Sequence, residues 1–489
     1  MVGHPTVRTW PTRLLARPWF LAFVPINAAT ACFGVALPLL ILVSLGGTWS
    51  DVAIAATLFN AAVIVSSILW GVLADRFPGR RAFLLVNFGG FAALYAALAF
   101  AHTLPVLFGI YAAVGFLAPA GANASNLLIL EAFPDAERPN AFASFQEMSI
   151  LGGIGGLLLG FFWTLDSRPL EPLLIILAAL AAASFAAVYF VVQNPRRAES
   201  SAAIAKHPEG LVARLHHTGP YRVPIPFFPK RPAAGPGAFR RFARWSREEV
   251  RHELPLILAA SFLFNLTANL FNISYTPYLY SAGLASSAIF LVNLGNNAAQ
   301  AVAFPLSGST TQAQGAQRVV VRATYVRSLG YLAVGAFTLS KFAPGTSFGA
   351  NAVIYALLGG AIAFYSTSSS IRLFRALHER DAGGLLGLNS ALGGVAAVAG
   401  SVLAGGLSVV GSFSVTFLIS GVALLASIPL WVASELARAR GGGELLGRTA
   451  VLRAPTTGPV TPSEPSEARV RAGRARRGVS LRLVNSHRL

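Results

Sequence analysis

The stretch GVLADRFPGRR, Gly71 to Arg81, places a cluster of charged residues directly after an uncharged run from Val52 to Ala74. A run of that length is enough to cross the hydrocarbon core of a bilayer, which takes about 20 apolar residues. Charges that follow such a run at once are typical of a chain that turns back at a membrane surface. The stretch therefore predicts an integral membrane protein.

The composition of the whole chain agrees with this prediction. Of the 489 residues, 54% are hydrophobic and 12% are charged, and the mean hydropathy is +0.61, outside the usual range of soluble globular proteins. The formal net charge is +19, but the basic residues fall in short breaks and two long polar segments. We therefore expect membrane lipid and no nucleic acid as a partner. The single cysteine, Cys32, excludes an internal disulfide and a cysteine cluster for metal.

Twelve segments are long and apolar enough to be membrane-spanning helices, whose backbone amides are all satisfied within the helix. They cover approximately residues 18–45, 52–74, 82–102, 105–130, 140–164, 171–193, 254–281, 285–307, 319–340, 347–371, 383–409 and 412–435. A long polar segment separates the first six from the last six. The predicted fold is therefore an all-α integral membrane protein with a six-plus-six plan.

The positions of the cations predict the orientation, because arginine and lysine near the ends of spans stay on the cytoplasmic side. Alternate loops are rich in arginine, and the loops between them hold little beyond Arg168 and Lys341. The arginine-rich set also includes both ends of the chain. We expect a multi-pass protein of the cytoplasmic (plasma) membrane with its N- and C-termini in the cytoplasm.

The same pattern predicts five regions. They are a cytoplasmic N-terminus at 1–17, a six-helix bundle at 18–193, a cytoplasmic middle loop at 194–253, a second six-helix bundle at 254–437 and a disordered basic cytoplasmic tail at 438–489. The middle loop ends in FRRFARWSREEV, which alternates aromatic and arginine faces at helical spacing. It predicts either an amphipathic helix on the cytoplasmic leaflet or a solvated linker helix.

The opening stretch resembles the signature loop of the major facilitator superfamily, Gly-x-x-x-Asp-Arg-x-Gly-Arg-Arg/Lys. The matching residues are Gly71, Asp75, Arg76, Gly79, Arg80 and Arg81, with Pro78 inserted before Gly79. The resemblance implies a secondary transporter built from two pseudo-symmetric six-helix bundles. In that family the aspartate bridges to the eleventh helix and latches the cytoplasmic side shut, which is the role implied for Asp75.

Two further stretches support the resemblance. GSTTQAQGAQR, after the eighth segment, repeats the signature with Gly308 and Gly315 at the family spacing but has Gln312 in place of the aspartate. LEAFPDAERPNAF, between the fourth and fifth segments, resembles a family connection through Glu131 and Arg138. The fifth segment then carries glycines at intervals of four, which predict close helix contact; these are Gly152, Gly156 and Gly160.

Polar residues inside the segments indicate where a substrate could bind, because polar groups that face hydrocarbon are costly. The seventh and eighth segments each carry asparagines on one helical face. The candidate cavity residues are Asn27, Asn123, Asn126, Asn265, Asn269, Asn272, Tyr275, Asn293, Asn297 and Arg327. The resemblance implies that spans 1, 4, 7 and 10 surround the site. Hydrogen bonding between helices is the alternative role for each asparagine.

Two charged residues lie deep inside predicted spans. Glu147 is a candidate for proton coupling, because burial raises the pKa of a carboxyl toward neutrality; pairing with an arginine is the alternative. Arg327 could bind an anionic group, pair with a glutamate or extend toward lipid head groups.

These features favour a secondary active transporter that moves a small organic solute by alternating access, with a proton as the expected coupling ion. Proton-coupled export of drug-like or amphiphilic compounds is the leading hypothesis, and uptake of a polar neutral solute such as a sugar is the alternative. A transporter-like receptor or scaffold is a remote third. No nucleotide-binding loop or cluster of catalytic side chains is found in the sequence, so we expect no enzymatic activity and no cofactor or metal.

Overall fold

The computed structural model describes residues 18–77, 79–133, 138–192, 253–339, 344–376, 382–410 and 412–438, which belong to one compact unit, Met1–Gly441. The predictions for residues 1–17, for the middle loop up to residue 252 and for most of the tail lie outside these residues. Within them every regular element is a helix.

The described residues form twelve helices. The first, α1, joins a 3₁₀ stretch, Pro18–Phe23, an α-helix, Val24–Leu39, and a π-helical end, Leu40–Ser44. The next ten are α2 (Trp49–Arg76), α3 (Arg80–Leu98), α4 (Leu104–Ala132), α5 (Arg138–Leu165), α6 (Glu171–Val191), α7 (Leu254–Ser281), α8 (Ser286–Gln314), α9 (Ala316–Leu339), α10 (Pro344–Ala376) and α11 (Ala382–Val410). The last, α12, covers Phe413–Leu425 and continues after a turn at Ala426 to Arg438.

Ten of these helices are long and apolar enough to cross a membrane. The two that fall short are α8, which is rich in amides and hydroxyls, and α9, which carries Arg318, Arg322 and Arg327. The all-α membrane fold is confirmed. That α8 and α9 cross the bilayer as well stays a prediction.

The helices pack in two equivalent sets. In the first set α1 packs on α5 and α6, α2 on α4, and α3 on α4 and α6. In the second set α7 packs on α11 and α12, α8 on α10, and α9 on α10 and α12. Each contact of the first set therefore recurs six helices later. The two sets meet where α2 packs on α11 and α5 on α8. These two contacts are equivalent, because α2 corresponds to α8 and α5 to α11 when the two sets are exchanged.

Glycines allow the closest of these helix contacts. A Cβ added to Gly156 of α5 would lie 1.9 Å from the Ala28 carbonyl oxygen of α1, and one added to Gly400 of α11 would lie 2.6 Å from the Leu266 carbonyl oxygen of α7. These distances are far below van der Waals contact, so only glycine fits without a shift of the helices. The same seam therefore occurs in both sets.

Candidate functional site

A cavity of about 310 Å³ lies between the two sets of helices. Its lining comes from α1, α2, α3, α4 and α5 of the first set and from α7, α10 and α11 of the second. Pockets of this volume are typical of small-molecule sites. None of the described lining residues carries a formal charge, so the lining consists of neutral polar and apolar groups.

One face of α7 supplies three of the six described asparagines that line the cavity. Asn265, Asn269 and Asn272 line the cavity together with Thr276. The Asn265 Nδ2 donates to the Ser261 carbonyl oxygen at 2.8 Å, and the Asn269 Nδ2 donates to the Asn265 carbonyl oxygen at 2.9 Å. Each bond uses one amide hydrogen and leaves the side-chain carbonyl oxygen as an acceptor. The α7 face can therefore both accept hydrogen bonds from a solute and donate to it.

Aromatic rings line the cavity from the first set of helices. The ring centroid of Phe33 lies 4.6 Å from that of Tyr95 and 5.7 Å from that of Tyr111, and Phe59 stacks on Tyr111 at 4.7 Å. All four residues line the cavity. Flat rings at these distances hold each other in place and present apolar surface to a bound ring.

The second set of helices repeats this aromatic cluster. Phe271 of α7 stacks on Tyr331 of α9 at 4.1 Å and lies 6.4 Å from Tyr355 of α10. The three rings come from the same helices of their set as Phe33, Tyr95 and Tyr111, but they do not line the cavity. Neither cluster was predicted from the sequence.

The two sets contact each other on the side where α2 begins and α11 ends. The hydroxyls of Ser50 and Ser408 are 2.6 Å apart, and the Asn60 Nδ2 donates to the Ser401 Oγ at 2.9 Å. Trp49 stacks on Phe413 with ring centroids 4.3 Å apart. The cavity continues toward the other side, where its lining includes Leu373 near the end of α10 and residue 389 near the start of α11.

The predicted cavity residues divide into two groups. Asn265, Asn269 and Asn272 are brought together on the cavity. The rest do not line it, and these are Asn27, Asn123, Asn126, Tyr275, Asn293, Asn297 and Arg327.

Several residues of the second group have partners within or between helices. The Asn27 Nδ2 donates to the Phe23 carbonyl oxygen at 2.7 Å and to the Ser149 Oγ at 3.3 Å. The Tyr275 hydroxyl lies 3.3 Å from the Asn351 Oδ1. The Asn297 Nδ2 donates to the Asn293 carbonyl oxygen at 3.1 Å.

Neither deep charge reaches the cavity surface. Glu147 is half-buried on α5, one helical turn before Leu151, which is 38% exposed on the outside of the bundle. Arg327 is buried on α9, where its Nε donates to the Tyr331 hydroxyl at 2.7 Å. The Arg327 side chain therefore does not extend toward the lipid head groups.

The signature residues lie at the end of α2 and the start of α3. The Arg81 Nη2 donates to the Tyr189 carbonyl oxygen of α6, and its guanidinium lies 4.8 Å from the Tyr189 ring centroid. Arg80 is buried and its Nη1 donates to the Phe77 carbonyl oxygen at 3.3 Å. Around Gly71 no described atom lies within 4 Å of an added Cβ.

Four other signature and connection residues have side chains outside the described set: Asp75, Arg76, Glu131 and Arg138. The remaining signature residue, Gly79, lies directly before α3. Its φ is negative, which other residues can adopt as well. In the second copy Gly315 has a φ of 85°, which favours glycine. The turn that requires glycine is therefore found in the second copy.

A buried ion-pair cluster links helices of the second set, at the end of the set where α7 begins. Arg372 of α10 is 1% exposed, and its guanidinium donates to Glu253 at 2.9 Å, to Glu435 and to the Ser434 Oγ at 3.1 Å. Burial raises the pKa of the Glu253 carboxyl above its ordinary value, although the positive charge of Arg372 opposes the shift. Sequence analysis did not predict this cluster.

The chain resembles known proteins both in sequence and in fold. A family model described as Major Facilitator Superfamily matches residues 19–312. A search for sequence relatives among curated proteins gave no match.

Solved structures with the same fold include two transporters. A mutant of the nucleoside transporter NupG has 13% sequence identity and a TM-score of 0.63, over 85% of this chain and 98% of that one. The human organic anion transporter MFSD10 has 16% identity and a TM-score of 0.57, over 87% of this chain and 100% of that one.

Proposed function

The chain belongs to the major facilitator superfamily, and from that premise we propose that it moves a small organic solute across the cytoplasmic membrane by alternating access. The observation that carries the proposal is the cavity between the two sets of helices, whose lining combines amides on α7 with aromatic rings on α1, α2, α3 and α4. Such a lining fits a solute that combines a flat ring with hydrogen-bonding groups. A polar neutral solute such as a sugar is the second candidate, because its hydroxyls could bind the same amides.

Alternating access is supported by the contacts between the two sets. The two sets are in contact where α2 begins, at Ser50 and Ser408, and the cavity lining reaches Leu373 near the end of α10, on the opposite side. With both termini in the cytoplasm, that opposite side of the cavity would face the cytoplasm. Rocking of the two sets about the cavity would close that side and open the other.

Asp75 is proposed as the latch of the state closed to the cytoplasm. It sits in the last turn of α2, and α2 packs on α11 across the boundary between the two sets. A carboxylate at the membrane edge requires a cation or a helix N-terminus as a partner. The second copy of the signature has Gln312 at this position, so the two sets would contribute unequally to gating.

Replacing Asn269 with alanine tests the binding role of the α7 face. The change removes an amide from the cavity lining, so we expect uptake into proteoliposomes of a solute selected by thermal-shift screening to fall about tenfold, as for loss of hydrogen bonds worth about 1.4 kcal/mol. Asn297→Ala is the matched control, because that side chain makes the same bond to its own helix but lies off the cavity. Equal loss in both variants would refute the assignment.

Glu147 is proposed as the proton-coupling residue, which would make the transporter an antiporter if export is the direction. We expect Glu147→Gln to abolish transport driven by an imposed pH gradient while exchange of labelled for unlabelled solute continues, because exchange needs no net proton movement. Flux under the two conditions, measured in the same proteoliposomes, checks this. Retained pH-driven flux would show that another group carries the proton.

A further inference from the structure

Arg327 is a charged residue in the interior of the second set of helices. It is 4% exposed and lies in the middle of α9. Its guanidinium is 5.0 Å from the ring centroid of Phe264 and 5.3 Å from that of Tyr331. The guanidinium therefore contacts two aromatic rings and the Tyr331 hydroxyl, to which its Nε donates.

No carboxylate of the described residues lies within 4.0 Å of Arg327. Arg372, the other buried arginine of the second set, is paired with Glu253 and Glu435. Removing a charge from water without a counter-charge costs several kcal/mol, and cation–π contacts recover only about 2 kcal/mol. A negative partner that arrives during the working cycle would recover the rest.

The repeat of the fold shows that packing does not require an arginine here. Tyr331 occupies the place of Tyr95 in the two aromatic clusters, and Arg327 lies one helical turn before Tyr331, as Phe91 lies one turn before Tyr95. Phe91 lines the cavity as an apolar ring. The first set thus fills this place with phenylalanine, and the second set places a cation there.

Phe264 is the side chain shared by Arg327 and the cavity. It lines the cavity, contacts the guanidinium, and stacks on Tyr365 with ring centroids 3.5 Å apart and planes 4° from parallel. Tyr365 lines the cavity as well. A change in the Phe264 rotamer would therefore join the space around Arg327 to the space that the α7 amides border.

We propose that Arg327 is the anion-binding group of the transport site, and that the solute is an aromatic compound with one negative charge, such as a carboxylate or a sulfonate. The acidic group would accept two parallel hydrogen bonds from the guanidinium, after the Phe264 ring turns aside, and the aromatic part would lie against the rings of the first set. This inference rests on the proposed transport function and specifies its substrate class.

A matched pair of probes tests the charge requirement. Naphthalene-2-sulfonate carries one permanent charge, and naphthalene-2-sulfonamide has a nearly identical shape without it. Isothermal titration of the purified full-length protein should give at least tenfold tighter binding of the sulfonate. In Arg327→Gln this preference should disappear, and Arg327→Lys, which keeps the charge but not the planar fork, should retain part of it. Comparable thermal stability of wild type and variants confirms that they are folded.

The inference is overturned if wild type binds the two probes equally, if it binds neither, or if the sulfonate preference survives in Arg327→Gln. An Asn269→Ala arm separates this result from failure of the proposed site. If the α7 amides bind solute, that variant weakens both probes to the same extent. If Asn269→Ala leaves the affinity for both probes unchanged while the sulfonate preference still depends on Arg327, the anion site is supported and the role of the amide face is refuted.

Discussion

Replacing Gly156 with valine should prevent the chain from reaching a stable folded state. Even the first atom of the new side chain would lie 1.9 Å from the Ala28 carbonyl oxygen and 2.7 Å from the Ala28 Cα. These are backbone atoms, so the clash cannot be relieved by a rotamer change, and α1 would have to move away from α5. We expect a destabilisation above about 3 kcal/mol, at the upper end for overpacked sites.

Gly155→Val is the matched control for this experiment. It lies next to Gly156 on the same helix and carries the same cost in helix propensity, but no described atom lies within 4 Å of its added Cβ. Size-exclusion profiles and thermal unfolding of the two purified variants measure the difference. The packing of α1 on α5 would be disproved if Gly156→Val were as monodisperse and as stable as Gly155→Val.

The second large effect is expected at Arg372. Its replacement by methionine leaves the Glu253 carboxylate, which is 12% exposed, without its guanidinium partner. Breaking a buried ion pair from one side costs about 3–5 kcal/mol, and because Glu435 is 43% exposed and can turn to water, we expect about 3 kcal/mol. A fall of about 3 °C in the midpoint of thermal unfolding would follow for a chain of this length.

Two further variants show whether this effect comes from the unpaired charge. Arg438→Met breaks an exposed pair with an N–O distance of 3.8 Å and removes a more distant positive charge that acts on Glu253, and it should change the midpoint by about 1 °C or less. The double variant Glu253→Leu with Arg372→Met removes both charges and should recover most of the lost stability. A double variant as unstable as Arg372→Met would mean that the packing of the arginine matters and the ion pair does not.

The helices could be predicted from the sequence because the bilayer imposes a simple requirement on each span. The segment predicted at 52–74 corresponds to the helix Trp49–Arg76, and the segment predicted at 18–45 corresponds to Pro18–Ser44. The segment predicted at 285–307 continues to Gln314. An apolar window ends where the hydrocarbon ends, but the backbone hydrogen bonds of a helix continue into the polar stretch that follows.

The site was only partly predictable. Helical spacing identifies residues that share a face, and the three asparagines that it grouped on α7, Asn265, Asn269 and Asn272, all line the cavity. Spacing does not show which neighbouring helix that face contacts. On α8, for example, the Asn296 Nδ2 donates to the Tyr355 carbonyl oxygen of α10 at 2.7 Å, away from the cavity. Long-range pairs such as Arg372 with Glu253 leave no local pattern in the sequence.

The central claim is that two sets of helices rock about a shared cavity, and pulsed electron paramagnetic resonance on spin-labelled pairs tests it most directly. In a Cys32→Ala background, one pair joins residues 77 and 314, exposed at the ends of α2 and α8, and the other joins residues 102 and 410 at the opposite side. The account predicts that Asp75→Asn lengthens the first distance and shortens the second. Two distances that stay unchanged, or that change in the same direction, would contradict it.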